Sequence, residues 1–250
     1  MLLIKDALLR KEIIRISGPA MGEMSLYMLI GVVDIAIVGR LGAAPLAAVG
    51  IGAEIFFALV LLFEALAIGA SVLAAQAKGA NNIARIVKIA ANTVLLAILL
   101  GSIPFLIGLT SVDLILGWFT LESAVYIDAQ KYLLITFLFA PIAVFVYMMN
   151  AFFRGLGRTE IPMYVALAIN IVNIIGDYVL VYGKLGFPML GVAGAAWATS
   201  IAHFIGLILL VVILLKYLYE RELFTYIKIR LNIISDILRV GFPSFTEHFF

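Results

Sequence analysis

Six long apolar stretches, at residues 16–38, 47–74, 84–109, 129–152, 161–182 and 191–217, constrain this chain more than any motif in it. Each is about 20 residues or longer, the length a helix needs to cross roughly 30 Å of hydrocarbon. A seventh begins at 237. The stretches are too long and too weakly alternating for barrel strands, so their backbone polar groups must be satisfied within helices. The sequence predicts an all-α fold: a polytopic membrane helical bundle of six transmembrane helices plus the beginning of a seventh. Composition points the same way, with 65% hydrophobic and 13% charged residues, against roughly a quarter charged in soluble domains. The absence of cysteine excludes disulfides, thiolate metal sites and cysteine nucleophiles. Pro104 and Pro141 fall inside spans and are candidate kinks.

Charge placement gives an orientation. With the N-terminus inside, fourteen of the 17 lysines and arginines lie at inner ends, and only Arg40, Lys131 and Lys184 face outward. That asymmetry is what the positive-inside rule expects of a multi-pass protein. The basic N-terminus leads into an apolar stretch too long for a cleavable signal peptide. Arg15, Pro19 and Glu23 enter the first span, and Arg239, Pro243 and Glu247 enter the seventh at the same spacing. Six spans separate the two triplets, so a repeat would have parallel topology. The chain reads as a six-helix lobe at 1–225, then an inter-lobe linker and the start of a second lobe at 226–250. On this reading the 250 residues are a partial product, expected to be inactive alone because a cavity shared by two lobes would stand half open to lipid.

Charges inside the spans are the main functional clue, because a charge in hydrocarbon is expensive unless it faces protein or water. Asp34 follows Pro19 by fifteen residues, and Asp177 follows Pro162 by fifteen. Both helices run outward, so both carboxylates are expected about 22 Å along, at one depth in the outer half. Asn170, Asn173 and Asp177 share one helical face. Two carboxylates and two amides at one level make a candidate cation or proton site; alternatively the asparagines only bridge helices. Glu64, in LLFEALAIGA, has no local basic partner and is expected to face a wet cavity or be neutral. Glu23 and Glu54 are expected to be shallow enough to reach interfacial water. His203 is expected to be hydrogen-bonded between helices. Tyr147, Asn150 and Phe153 at the inner end of span four suit substrate contact or interfacial anchoring equally. The methionines 21, 24, 28, 148 and 149 suit either an adaptable apolar surface or packing. In FFRGLGR the glycines fit a turn and the arginines fit inner-leaflet anchoring.

No phosphate-binding loop, HExxH or glycine-rich cradle is present. The sequence predicts no enzyme activity, no cofactor and no nucleic-acid partner. Uphill transport would then draw on an ion gradient, with Na+ or H+ as the coupling ion.

VVDIAIVGRLGAAPLAAVGIG, AIGASVLAAQAKGA, NAFFRGLGRTEIPMY, NIVNIIGDYVLVYGKLGFPMLGVAGAAWATSIA and GFPSFTE resemble, in order and spacing, the multidrug and toxic compound extrusion (MATE) transporters. The resemblance implies twelve helices in two six-helix lobes, related by a pseudo-twofold axis along the membrane normal. It implies export of organic cations or amphipathic compounds across the cytoplasmic membrane by sodium or proton antiport. Membrane lipid, a small organic substrate and a second six-helix lobe are the implied partners. The family's first-lobe cation site carries over onto Asp34, Asn173, Asp177 and Thr199. A coupling glutamate of another branch matches Glu247. Glu64 departs from the family pattern. Two alternatives remain: a flippase for lipid-linked oligosaccharides or peptidoglycan precursors, with related two-lobe architecture, and a non-transporting membrane half-protein.

Overall fold

The computed structural model describes residues 7–219 and 223–247. Among them there is no strand; the elements are α1 (Ala7–Val38), α2 (Ala43–Gly79), α3 (Ile83–Thr110), the short α4 (Val112–Leu116), α5 (Ser123–Leu138), α6 (Ala140–Gly155), α7 (Glu160–Tyr182), α8 (Val192–Tyr219) and α9 (Leu231–Glu247). Five of these helices are long and apolar enough to cross a membrane, and α5 with α6 makes a sixth crossing. The six expected spans are therefore present, most of them longer than their apolar stretches.

The fourth span is not one helix. It breaks at Phe139, and α5 and α6 meet at 56°. Pro141 sits in the first turn of α6, where a missing N–H is harmless but a continuing helix would lack a bond. Pro104, by contrast, lies inside α3 without breaking it. Helix α3 packs tightly against this bend: a Cβ on Gly101 would lie 2.5 Å from the Cα of Pro141.

One large core runs through α2, α3, α6, α7 and α8 and includes Ile237 of α9. Met148 and Met149 are fully buried in it, so these two pack; Met21, Met24 and Met28 on α1 are largely exposed. Helix α1 lies along α7 and barely touches α2. It is tied to α7 and its preceding turn at both ends: Thr159 Oγ1 donates to the Ile16 carbonyl at 2.9 Å, and Tyr182 Oη to the Ile37 carbonyl at 2.6 Å. These ties fix the register of α1 on α7.

Helix α9 begins at Leu231, six residues ahead of the expected 237, because its first turns have a lobe surface to pack on. Gly69 of α2 and Gly241 of α9 let the two backbones touch: a Cβ on Gly69 would lie 1.9 Å from the Ile237 carbonyl oxygen. The strand of chain before α9 is held by Asn92 of α3. Its Nδ2 donates to the carbonyls of Lys228 (2.9 Å) and Lys88 (2.7 Å), and its Oδ1 accepts from the Arg230 N–H at 2.8 Å. Asn92 is fully buried, so truncation strands backbone groups that water does not reach. We expect Asn92→Ala to cost about 2 kcal/mol and to speed proteolysis within 223–230, read by limited trypsin digestion in detergent.

Candidate functional site

The ties along α1 and α7 bring Asp34 and Asp177 together. Their carboxyl groups lie against each other, with Tyr132 of α5 beside both. Asp177 is fully buried, and neither of its oxygens has a hydrogen-bond partner; Oδ1 of Asp34 has none either. Two ionised carboxylates are acceptors only, so each needs a proton or cation before it can be satisfied against the other. One turn earlier on α7, Asn173 is buried and donates from Nδ2 to Thr199 Oγ1 on α8 at 3.2 Å, leaving its Oδ1 unpartnered. Asn170, two turns below Asp177, donates to the Ala166 carbonyl of its own helix at 2.9 Å, and its Oδ1 is also unpartnered. Buried polar atoms without partners are rare in folded proteins. Here a run of them, all oxygens, comes from α1 and one face of α7. That donor set fits a hard cation or a shared proton.

Tyr132 carries no mark of this place in the sequence, where it is one aromatic beside Lys131. Its place is made by Gly52 of α2, where a Cβ would sit 2.6 Å from the tyrosine ring. No local signal in the sequence marks either residue.

The other candidates form a second group deeper along α1. Arg154, in the last turn of α6, donates from Nη1 to Glu23 at 2.7 Å and places Nη2 at 3.5 Å from Glu64. This corrects two expectations. Glu23 is buried rather than reaching interfacial water. Arg154 turns inward to both glutamates instead of anchoring at the leaflet. Glu64, which has no basic neighbour in its own stretch, borders a cavity as expected and meets its cation from another helix. Glu54 is exposed.

Tyr147 and Asn150 lie next to this group. Tyr147 stacks on Tyr27 with ring centroids 5.8 Å apart, and Asn150 is fully buried and donates to Tyr27 Oη at 3.2 Å. On its other side Tyr147 meets the ring of His203 at 6.1 Å. The Nδ1 of His203 contacts the Thr199 carbonyl of its own helix at 2.8 Å, which corrects the expectation of an interhelical bond. Glu247 closes α9, and its side chain lies outside the described part of the structure.

The MatE family profile matches residues 19–179. Among curated relatives, the chain is 36% identical over 254 residues to the "Probable multidrug resistance protein NorM" of Thermotoga maritima, covering 96% of this chain and 52% of that protein. It is 28% identical to the "Uncharacterized transporter YisQ" of Bacillus subtilis, over 93% of this chain and 51% of that one. Among solved structures, an outward-facing multidrug resistance MATE family transporter of the MOP superfamily superposes with a TM-score of 0.80 at 29% identity, over 94% of this chain and 52% of that chain. The inward-facing conformation of such a transporter gives 0.76 at 25% identity, over 90% and 53%. The chain spans about half the length of the relatives it matches. By its profile, its motifs and its six-crossing helical fold, the chain belongs to the MatE family.

Proposed function

We propose that the chain is the N-terminal half of a multi-pass exporter in the cytoplasmic membrane, with its N-terminus inside. In this reading it expels organic cations or amphipathic compounds in exchange for Na+ or H+. The observation that carries the reading is the Asp34–Asp177 pair with its unpartnered buried oxygens. Asp34 and Asp177 take up the coupling ion, with Asn173 and Thr199 completing the donor set. Ion uptake neutralises a repulsive carboxylate pair and draws α1 against α7, favouring substrate release. Ion loss re-forms the repulsion and loosens the seam. The same α1 presents Met21, Met24, Met28, Val32 and Ile35 outward, an apolar face suited to a second six-helix lobe across a shared cavity. Among the described residues Asp34, Asp177, Glu23 and Glu64 outnumber Arg154 along the seams of α1, which suits cationic cargo better than a lipid-linked phosphate.

The test is efflux of a cationic dye from proteoliposomes holding the protein together with its second lobe. Imposed sodium and proton gradients, applied separately, should show that one of them drives dye uphill. Dye movement indifferent to both gradients overturns the reading.

A further inference from the structure

Beyond the outer carboxylate pair, the second buried charge cluster has an unbalanced count. Glu23 and Glu64 share a single guanidinium, Arg154. The sharing is unequal. Glu23 is buried and takes the 2.7 Å bond, whereas Glu64 is 3.5 Å away with its side chain 33% exposed. One negative charge is left over, and Glu64 is the carboxylate with acceptor positions to spare. It borders a cavity of about 350 Å3, also lined by Glu23, Tyr27, Met24, Ile68 and Arg154. That volume is within the range of roughly 300–1,000 Å3 found for small-molecule sites, and apolar walls with a few convergent polar groups are their usual lining.

The cavity lies in the seam where α1 barely touches α2, beside the exposed methionines of α1. Glu23 precedes Asp34 by eleven residues, about 16 Å of helix rise, so this cavity is separate from the outer pair.

We propose that this cavity is a binding site for a protonated amine on a slender apolar body, with Glu64 as the acceptor of its N–H groups. Glu23 and Arg154 hold each other in place, and Arg154 keeps Glu64 turned to the cavity. Tyr27, fixed by its bond from Asn150 and its stack on Tyr147, presents an aromatic wall to the cation. Because the site offers an acceptor and not merely a negative field, it discriminates by hydrogen bonding. An ammonium with N–H groups satisfies Glu64; a quaternary ammonium of equal charge does not. The inference rests on the exporter reading only for the route by which the amine arrives, since binding is measurable without transport.

The experiment uses the protein, purified in detergent with its second lobe, and three fluorescent probes. These are monodansylcadaverine, its trimethylammonium analogue and its neutral N-acetyl analogue. Wild type should bind the primary ammonium about tenfold or more tightly than either analogue, the step expected of one charge-assisted hydrogen bond. Glu64→Gln should erase that preference and leave the N-acetyl probe unaffected, while Glu64→Asp keeps the order of the three. Met24→Lys, at an exposed position, supplies the missing positive charge and should abolish ammonium binding even if Glu64→Gln fails to fold. An unchanged preference in both Glu64→Gln and Met24→Lys overturns the proposal. So does loss of ammonium binding confined to the Asp34→Asn, Asp177→Asn double variant, which would assign the amine to the outer pair. Failure of gradient-driven efflux with the ammonium preference intact would overturn the exporter reading and leave this site standing.

Discussion

Asp34→Asn combined with Asp177→Asn will reduce gradient-driven efflux to the level of liposomes without protein. The two carboxylates face each other in the helix seam, and three of their four oxygens have no protein partner. Amides of the same shape remove the charge that a cation or proton would neutralise, and with it the energetic difference between ion-bound and ion-free states. An ion can shift an equilibrium only through its differential affinity for the two states, so losing that difference ends coupling even if the cavities are untouched. Each single replacement should weaken ion affinity by about 10- to 100-fold, the worth of one charge-assisted contact in a buried site. The fold should survive, because the two carboxyl groups meet chiefly each other and amides of the same shape can make that contact. Thermal unfolding followed by tryptophan fluorescence in detergent should show a midpoint close to wild type, since two amides in the seam can hydrogen-bond to each other. Normal efflux by the double variant would remove these residues from the mechanism.

Gly69→Val will have the opposite signature, a protein that does not assemble. A Cβ there would stand 1.9 Å from the Ile237 carbonyl oxygen and 2.8 Å from its carbon, both backbone atoms that no rotamer change can move. Overpacking relieved by side-chain motion costs about 1–3 kcal/mol, and a clash with backbone exceeds it. The only relief is to push α9 off α2, which exposes Ile237 and the adjoining core. We expect loss of at least about 3 kcal/mol and a collapse of the monodisperse peak in detergent gel filtration. Gly79→Ala, where an added Cβ meets nothing, is the matched control and should behave as wild type.

The spans were legible because hydrocarbon thickness dictates their length, and no tertiary detail is needed to count them. The break in the fourth was not, because Pro104 and Pro141 look alike in sequence. What separates them is the turn each falls in: Pro141 opens α6 against Gly101, and Pro104 sits mid-helix among neighbours that tolerate it. The depth match of Asp34 and Asp177 was readable from the proline count, because rise along a helix is constant. Their lateral approach depends on the Thr159 and Tyr182 ties to α1, which span well over a hundred residues of sequence. The same distance hid the partner of Glu64. Arg154 lies ninety residues later, in a glycine-flanked stretch that reads as a surface turn, so no cation stands near Glu64 along the chain. Tyr132 was hidden for a different reason: a tyrosine beside a lysine has the same sequence appearance whether it faces lipid or a carboxylate pair.

The most direct test of the Asp34–Asp177 pair as the ion site is a cation-binding titration of the purified protein with its second lobe, compared with its Asp177→Asn variant. Radiolabelled Na+ binding and net proton uptake are followed together as pH is lowered. The wild type should bind either one saturable Na+ that protons displace, or one more proton than the variant, and the variant should show neither. Equal Na+ binding and equal proton uptake by the two proteins would contradict the account.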